Sequence, residues 1–397
     1  MIKIKNPQDC CGCTACANIC PHKAITMQPD ALGFLYPQIN KELCTNCGLC
    51  EKVCAFNENY DKNTDNILDV YAARHKEIKE IEKSRSGAMF VAITDYILEN
   101  NGVVYGAGYS NHFRVTHKRA VTKTERNEFR GSKYVQSELG STFTKVYKDL
   151  KNGVWVCFSG TPCQVAGLRS FLKTKKANTE KLLLIDIVCH GTPSPYIWRD
   201  YLEYIEKKHN GIATAVSFRD KEEIGWTAHK ESFIINNHKI TTDTYTDLFY
   251  KHIMFRHSCG VCYFANTIRP SDITIADFWG WQKVDKDFNK DDKGISLVFV
   301  NSLKGKRFFE KVSTSVNIIK TELQYALQPT LQCPSKINPK RMEFEMDYTR
   351  KGIIYIAKKY SNIGWRGLIL FPLFEFYKKL RWNISNRIIN KIWKARK

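Results

Sequence analysis

The sequence predicts an α/β fold with α+β elements: a small cysteine-rich module, a larger mixed-sheet domain and a basic helical tail. Three observations predict it. "CCGCTACANICP" at residues 10–21 and "CTNCGLCEKVC" at 44–54 repeat one cysteine spacing. From Ile67 onward, strand-like apolar runs alternate with segments whose apolar residues recur at helical spacing, the pattern of a sheet covered by helices. Residues 341–397 hold 14 Lys and Arg against 4 Asp and Glu, so nearly half of the net charge of +21 lies there.

With 397 residues, 43% of them hydrophobic, and 19 Tyr and 22 Phe, the chain can build two or three domains with a substantial core. It opens "MIKIKNPQDC", without the apolar stretch or cleavage site of an export signal, so a cytoplasmic location is expected. Thiols stay reduced there, and dense cysteine points to metal or redox chemistry rather than disulfides. Zinc normally takes two CxxC pairs separated by a loop. Here Cys10, Cys13, Cys16 and Cys20 stand at gaps of two, two and three before Pro21, the bacterial ferredoxin run for a four-iron cluster. Cys44, Cys47, Cys50 and Cys54 repeat it, with Ala55 in place of the proline. Three thiolates at such gaps wrap three corners of a cubane, and the fourth lies too far along to close the same one. The expected sets on two [4Fe–4S] clusters are therefore Cys10, Cys13, Cys16 with Cys54, and Cys44, Cys47, Cys50 with Cys20. Cys11 fits neither register and reads as a spare thiol. Residues 1–60 form this module, and "NENYDKNTDN" at 57–66 is polar enough to be a linker.

The next segments follow in order. "LDVYAAR" predicts a strand, "GAMFVAITDYILEN" a helix, "GVVYGAGY" a strand, and "STFTKVYKDLKNG" a helix. "VWVCFSG" predicts a strand, "QVAGLRSFLK" a helix, "KLLLIDIVCHG" a strand, and "SPYIWRDYLEYIEKKHNG" a helix. "SFIINNHKITT" and "SDITIADFWG" add strands, some antiparallel. This domain is expected over 67–340, and a basic helical extension over 341–397.

No GxGxxG or Walker motif supports a standard nucleotide site. The remaining cysteines are more telling. Cys163 and Cys189 each follow a strand-like run, and open α/β sheets bind cofactors beyond the carboxyl ends of strands. Cys259 and Cys262 form a CxxC in "FRHSCGVCYFA". These four can hold a third [4Fe–4S] cluster or zinc, and a CxxC disulfide would use two of them. Cys157, mid-strand, reads as a small buried hydrophobe. Cys333 has no partner pattern.

"GSKYVQS", "SGTPCQ", "DIVCHGTPSP", the CxxC and "SDITIADFWG", behind the dicluster module, resemble the coenzyme F420 hydrogenase/dehydrogenase beta subunit family. The similarity runs from the first cysteine to about residue 305, through "GISLVFVNSLKGK", and leaves out the tail. Members are iron–sulfur flavoproteins. They include deazaflavin-reducing hydrogenase subunits and ferredoxin-dependent chlorophyll-pathway reductases, and many lie in polysaccharide gene clusters. The resemblance implies FAD in the large domain, with a [4Fe–4S] cluster on Cys163, Cys189, Cys259 and Cys262 beside it. Its segments "SRSGAM", "GSKY" and "GTPCQ" bring forward Ser86, Gly87, Ser132, Lys133, Tyr134, Thr161 and Gln164 as FAD contacts, or as ordinary turns. Glycine and serine N–H groups with Lys133 suit a pyrophosphate. His190 and His257 adjoin the candidate ligands and are either proton donors or structural. Asp277 is either a site carboxylate or a strand-end cap.

Clusters pass single electrons, reduction of an organic bond usually needs two, and a flavin converts between them. The expected function is thus a ferredoxin-dependent reductase or dehydrogenase, an iron–sulfur flavoprotein. It takes electrons from ferredoxin or another low-potential donor and passes them to a small-molecule or lipid-linked substrate, in polysaccharide biosynthesis. The alternatives are a deazaflavin-coenzyme oxidoreductase subunit and an electron-transfer subunit without its own substrate. No nucleic-acid motif accompanies the basic charge. Leu380, Ile384, Ile388 and Ile392 share one helical face among Lys and Arg, the pattern either of a packed helix or of peripheral contact with the inner face of a membrane. "IGWRGLILFPLFEFY" at 363–377 is too broken to span one.

Overall fold

The computed structural model describes residues 1–57, 60, 67–222 and 225–362. The N-terminal module is an antiparallel hairpin, β1 (Ile25–Pro29) and β2 (Leu35–Ile39), flanked by the two cysteine loops. Each loop runs into a short helix, Ala15–Ile19 or Leu49–Lys52. The backbone repeats as the sequence does: Gly12 and Thr14 have positive φ in the first loop, and Asn46 and Gly48 have it at the same offsets in the second. Those left-handed residues turn the chain sharply enough to aim three thiols at one point.

The large domain is built on an eight-stranded mixed sheet. Its strands are β3 (Asp69–His75), β4 (Val103–Ser110), β5 (Arg114–Ala120), β6 (Val156–Gly160), β7 (Leu182–Ile187), β11 (Ile273–Asp277), β12 (Ser296–Val300) and β13 (Val316–Thr321), in the spatial order β13-β3-β12-β11-β7-β6-β4-β5. The centre, β4, β6, β7 and β11, is parallel, and antiparallel pairs finish both sides. β12 is buried at all five positions, as a strand covered on both faces should be. Along β6 the faces alternate. Cys157 packs with the helices Met89–Glu99 and Leu303–Val312, whereas Val156 and Phe158 pack with Thr142–Lys151 and Pro162–Thr174. The predicted strands and helices are present at these places, and Cys157 is the buried filler expected.

A second sheet, β8 (Ala213–Ser217), β9 (Glu231–Ile235) and β10 (His238–Thr242), is antiparallel throughout. "SFIINNHKITT" forms its hairpin, turning at Asn236 and Asn237, both with positive φ. Trp198, Tyr201, Phe233, Tyr245 and Phe344 join this sheet to the helices Pro195–Lys208, Thr244–Tyr250 and Arg341–Tyr360. The last of these opens the C-terminal region. The expected face of Leu380, Ile384, Ile388 and Ile392 and the stretch 363–377 lie outside the described residues, as does most of the linker. Among the described residues no helix is long and apolar enough to cross a membrane.

The module docks on the helix Pro162–Thr174, where its cysteines share a core with Phe143, Val165, Leu168 and Phe171. Gly167 permits the approach, because a Cβ there would stand 2.9 Å from both Cβ and Sγ of Cys13. Arg256, fully buried, ties the two parts together. It donates to the carbonyls of Cys10 (2.7 Å) and Leu35 (2.9 Å) and to Oε1 of Gln136 (3.0 Å), with its guanidinium over the Tyr36 ring.

Candidate functional site

The cysteines gather into three sets. Cys10, Cys13, Cys16 and Cys54 lie together, each within electrostatic reach of others in the set. Cys20 lies instead with Cys44, Cys47 and Cys50 around one cavity. Cys20 thus stands with the second loop and Cys54 with the first. Backbone N–H groups point at the sulfurs: Gly12 to Cys10 (3.4 Å), Ala24 to Cys20 (3.4 Å) and Ile2 to Cys50 (3.2 Å). Burial, and then Cys13, pushes the Cys54 thiol up to about 12. A thiolate there needs a compensating cation, and an iron cluster is one. The donor set and the turned N–H groups fit a cubane in both sets.

The third set draws on three segments. Cys163 starts the helix after β6, Cys189 follows β7, and Cys259 and Cys262 lie on the short 3₁₀ turn His257–Val261 and just beyond it. All four line one small cavity, and Cys11 lines it too. Each sulfur has a hydrogen-bond donor: Thr161 Oγ1 lies 3.2 Å from Cys163, Thr192 N donates to Cys259 (3.3 Å), and Gly191 and Phe264 donate from the backbone to Cys189 and Cys262. Burial first, then Cys259, Cys163 and Cys262, hold the Cys189 thiol well above its ordinary value. Among the described residues no group of three or more His, Cys, Asp or Glu side chains is placed to hold a single metal ion. The four thiols line one cavity, and four thiolates are the donor set of a cubane. Cys11, the thiol outside both registers, sits at the join between two of the sets. It is buried between the first and third sets, its thiol hydrogen-bonded to Cys13 and Cys163.

Next to the third set opens a pocket of about 480 Å³. It lies beyond the carboxyl ends of β6, β7 and β11, where open α/β sheets take ligands. Ser86, Ser132, Lys133, Tyr134, Thr161 and Gln164 line it. Lys133 Nζ donates to the Arg130 carbonyl (3.0 Å), and burial pushes its amine down to about 7. Tyr134 stacks on Phe249 at 4.2 Å. Thr161 and Gln164 cap the helix: Thr161 N donates to Gln164 Oε1 (3.0 Å), and Gln164 Nε2 donates to Ser137 Oγ (2.9 Å). Gly87 does not line the pocket. It is wedged between β3 and β12, where a Cβ would lie 2.2 Å from the Ala73 carbonyl, so its reason is packing.

The other singled-out residues separate. His190 lines the pocket, and its Nε2 pairs with His252 Nε2 at 2.7 Å. His252 Nδ1 faces the Lys336 carbonyl at 3.0 Å, so it carries its proton there and His190 is the donor between the rings. His257 faces Glu345 at 4.0 Å and is not among the residues lining the pocket. Asp277 ends β11 in the pocket wall, ion-paired with Arg219 and bonded by Trp226 Nε1 at 3.1 Å. Burial opposes its charge, but Arg219 and Arg85 outweigh that and hold its carboxyl below the usual range. Sequence reasoning missed Arg256, Arg219, His229 and Tyr250. Arg256 had one signal, its place three residues before the CxxC; the others had none.

Sheet and cysteine sets together define an iron–sulfur electron-transfer protein of mixed α/β fold. Residues 9–57 match the 4Fe-4S dicluster domain. Residues 154–324 match the family described as the C terminus of the coenzyme F420 hydrogenase/dehydrogenase beta subunit. This second match runs from just before β6 to just beyond β13. Among solved structures, a chain of the F420-reducing [NiFe] hydrogenase complex from Methanosarcina barkeri, in a xenon derivative, is similar at 16% identity, with a TM-score of 0.45. The match covers 77% of this chain and 97% of that one. A comparison with curated proteins found no match.

Proposed function

We propose that this chain is the electron-transfer subunit of a deazaflavin-linked oxidoreductase, working with partner subunits. The observation that supports it most is one loop. Cys189, His190, Gly191 and Thr192 line both the third cysteine cavity and the large pocket, so a single wall separates the two. Outward from that wall, Cys163 is hydrogen-bonded to Cys11, Cys11 to Cys13 of the first set, and the exposed Cys47 of the second set reaches solvent. The residues lie in the order that a route from surface to pocket requires. When bound, the clusters supply one-electron transfer, and a flavin ring supplies conversion to the hydride that a deazaflavin exchanges. For that reason the proposal keeps FAD in the pocket, with Ser86, Ser132, Lys133 and Tyr134 facing it. The family's printed description favours a deazaflavin as its exchange partner.

A second reading replaces the deazaflavin by a small-molecule or lipid-linked substrate, with ferredoxin as donor. In both, the protein works in the cytoplasm, and the positive charge of residues 341–397 favours contact with an anionic membrane face. Anaerobic purification, heat release of the bound coenzyme and its mass, followed by deazaflavin reduction with dithionite as donor, test the proposal. Released FAD with deazaflavin turnover is the expected result. FAD without that turnover supports the second reading. Full clusters without flavin or deazaflavin affinity would leave electron transfer alone.

A further inference from the structure

Asp277, Arg219, His229 and Tyr250 stand in file along one wall of the large pocket. Arg219 donates Nη1 to Asp277 and Nη2 to His229 Nε2, the latter at 3.1 Å. A guanidinium only donates, so His229 Nε2 accepts and the imidazole proton must sit on Nδ1. That Nδ1–H donates to the Tyr250 hydroxyl oxygen. Burial first, then Arg219, lowers His229 to about 3, so the ring stays neutral and the direction of the file is fixed. Tyr250's own proton therefore points away from His229. The phenol of Tyr134 lies beside it, and whichever phenol ends the file presents an O–H to the pocket.

The same wall carries unbalanced positive charge. Arg85 also lines the pocket, and its donors go to the carbonyls of Arg219 (3.1 Å), Trp226 and Ala228 (3.4 Å). Asp277 is the one carboxylate bonded to the pair among the described residues, and its oxygens are taken by Arg219 and Trp226. The Nε atoms of Arg85 and Arg219 are buried and find no partner among those residues. Burial first, and then Arg85, lowers the amine of nearby Lys221 to about 7. Trp279 covers the site, stacked on Trp226 at 4.6 Å with Arg219 over its ring.

We infer that this wall is a subsite for an anionic oxygen, a carboxylate or phosphate on the pocket's ligand, with the Tyr250 file as hydrogen-bond donor and Arg219 and Arg85 as the charge. The inference deepens the coenzyme-pocket reading and rests on it only in taking the pocket as a ligand site. The anion can belong to the substrate or to the coenzyme's tail. Inorganic phosphate, acetate and neutral acetamide are titrated into the full cluster-loaded chain at fixed ionic strength, read by calorimetry and by the fluorescence of the stacked tryptophans. Phosphate or acetate should bind saturably and acetamide should not. Tyr250→Phe and Arg85→Gln should each weaken anion binding about tenfold, the loss of one charge-assisted hydrogen bond. In coenzyme-loaded protein, retained phosphate binding assigns the anion to the substrate, and blocked binding assigns it to the coenzyme. Absence of saturable anion binding, or unchanged affinity in both variants, overturns the subsite. Coenzyme content is measured on the same samples, so a chain that binds phosphate but takes no coenzyme defeats the proposed function and leaves the subsite standing.

Discussion

The two N-terminal cysteine sets and the third set are built in opposite ways. In the module, three thiols of each set come from one tight loop, and only the crossed Cys20 and Cys54 come from elsewhere. In the large domain, Cys163, Cys189 and the Cys259/Cys262 pair reach one cavity from three segments that the sheet brings together. The first kind of site is fixed by local turns, the second by the whole fold. Damage should therefore spread differently. A change in a loop ligand should empty one cage and spare the rest, whereas a change beneath the third set should loosen the sheet edge and the pocket together.

The largest expected effect tests the crossing. Cys20→Ser should remove the outer cage of Cys44, Cys47 and Cys50, lowering iron by about four atoms per chain. Cys54→Ser should do the same to the Cys10 set. Resonance spectra that assign the Cys20→Ser loss to the Cys10 set would break the comparison at its base.

Arg256→Met comes next. It removes three hydrogen bonds from a buried guanidinium that joins module to domain, and it should cost about 3 kcal/mol or more. Denaturant unfolding measures this, and a midpoint like that of the unaltered protein would show the two parts to be independent. Gly167→Ala is milder. Its methyl group overpacks the Cys13 contact and should cost about 1–3 kcal/mol. Insertion of the same methyl at solvent-open Gly140 offers no such contact, although its positive φ adds strain of its own.

The smallest effect concerns the pocket. Lys133, lowered to about 7 by burial, is charged below that pH and neutral above it. Glu128 is the acidic group that opposes the shift, and the Tyr109 ring faces the amine. A phosphate-bearing ligand should therefore bind more tightly as pH falls toward 7, by up to about tenfold per unit above it. The same shift acts on stability in a defined direction: the unfolded chain holds the extra proton between about 7 and its ordinary value, so stability rises with pH across that window. Lys133→Met should flatten both slopes, and a slope that survives the substitution assigns it to another group.

Much of this was legible where the physics is local. Cysteine spacing specified both N-terminal sets and their crossing, because a cubane and a tight loop leave few solutions. Alternating apolar runs specified β3, β4, β6, β7 and β11 and the helices among them. "RVTHKRA", which becomes β5, was passed over because an edge strand with one polar face carries a weak signal. Gly87 was read for a coenzyme although its constraint comes from β3 and β12, distant in sequence. The file from Asp277 to Tyr250 was invisible for the same reason: four residues from four segments meet only in the folded chain.

The third set is expected to form a cage between the module and the pocket. Iron and acid-labile sulfide per chain, with zinc measured on the same sample, test it most directly in the unaltered protein and in Cys259→Ser. About 12 irons should fall to about 8 in the variant, with coenzyme reduction lost while the N-terminal signals remain. About 8 irons in the unaltered protein, or zinc in place of the missing four, would mean that no third iron cage exists.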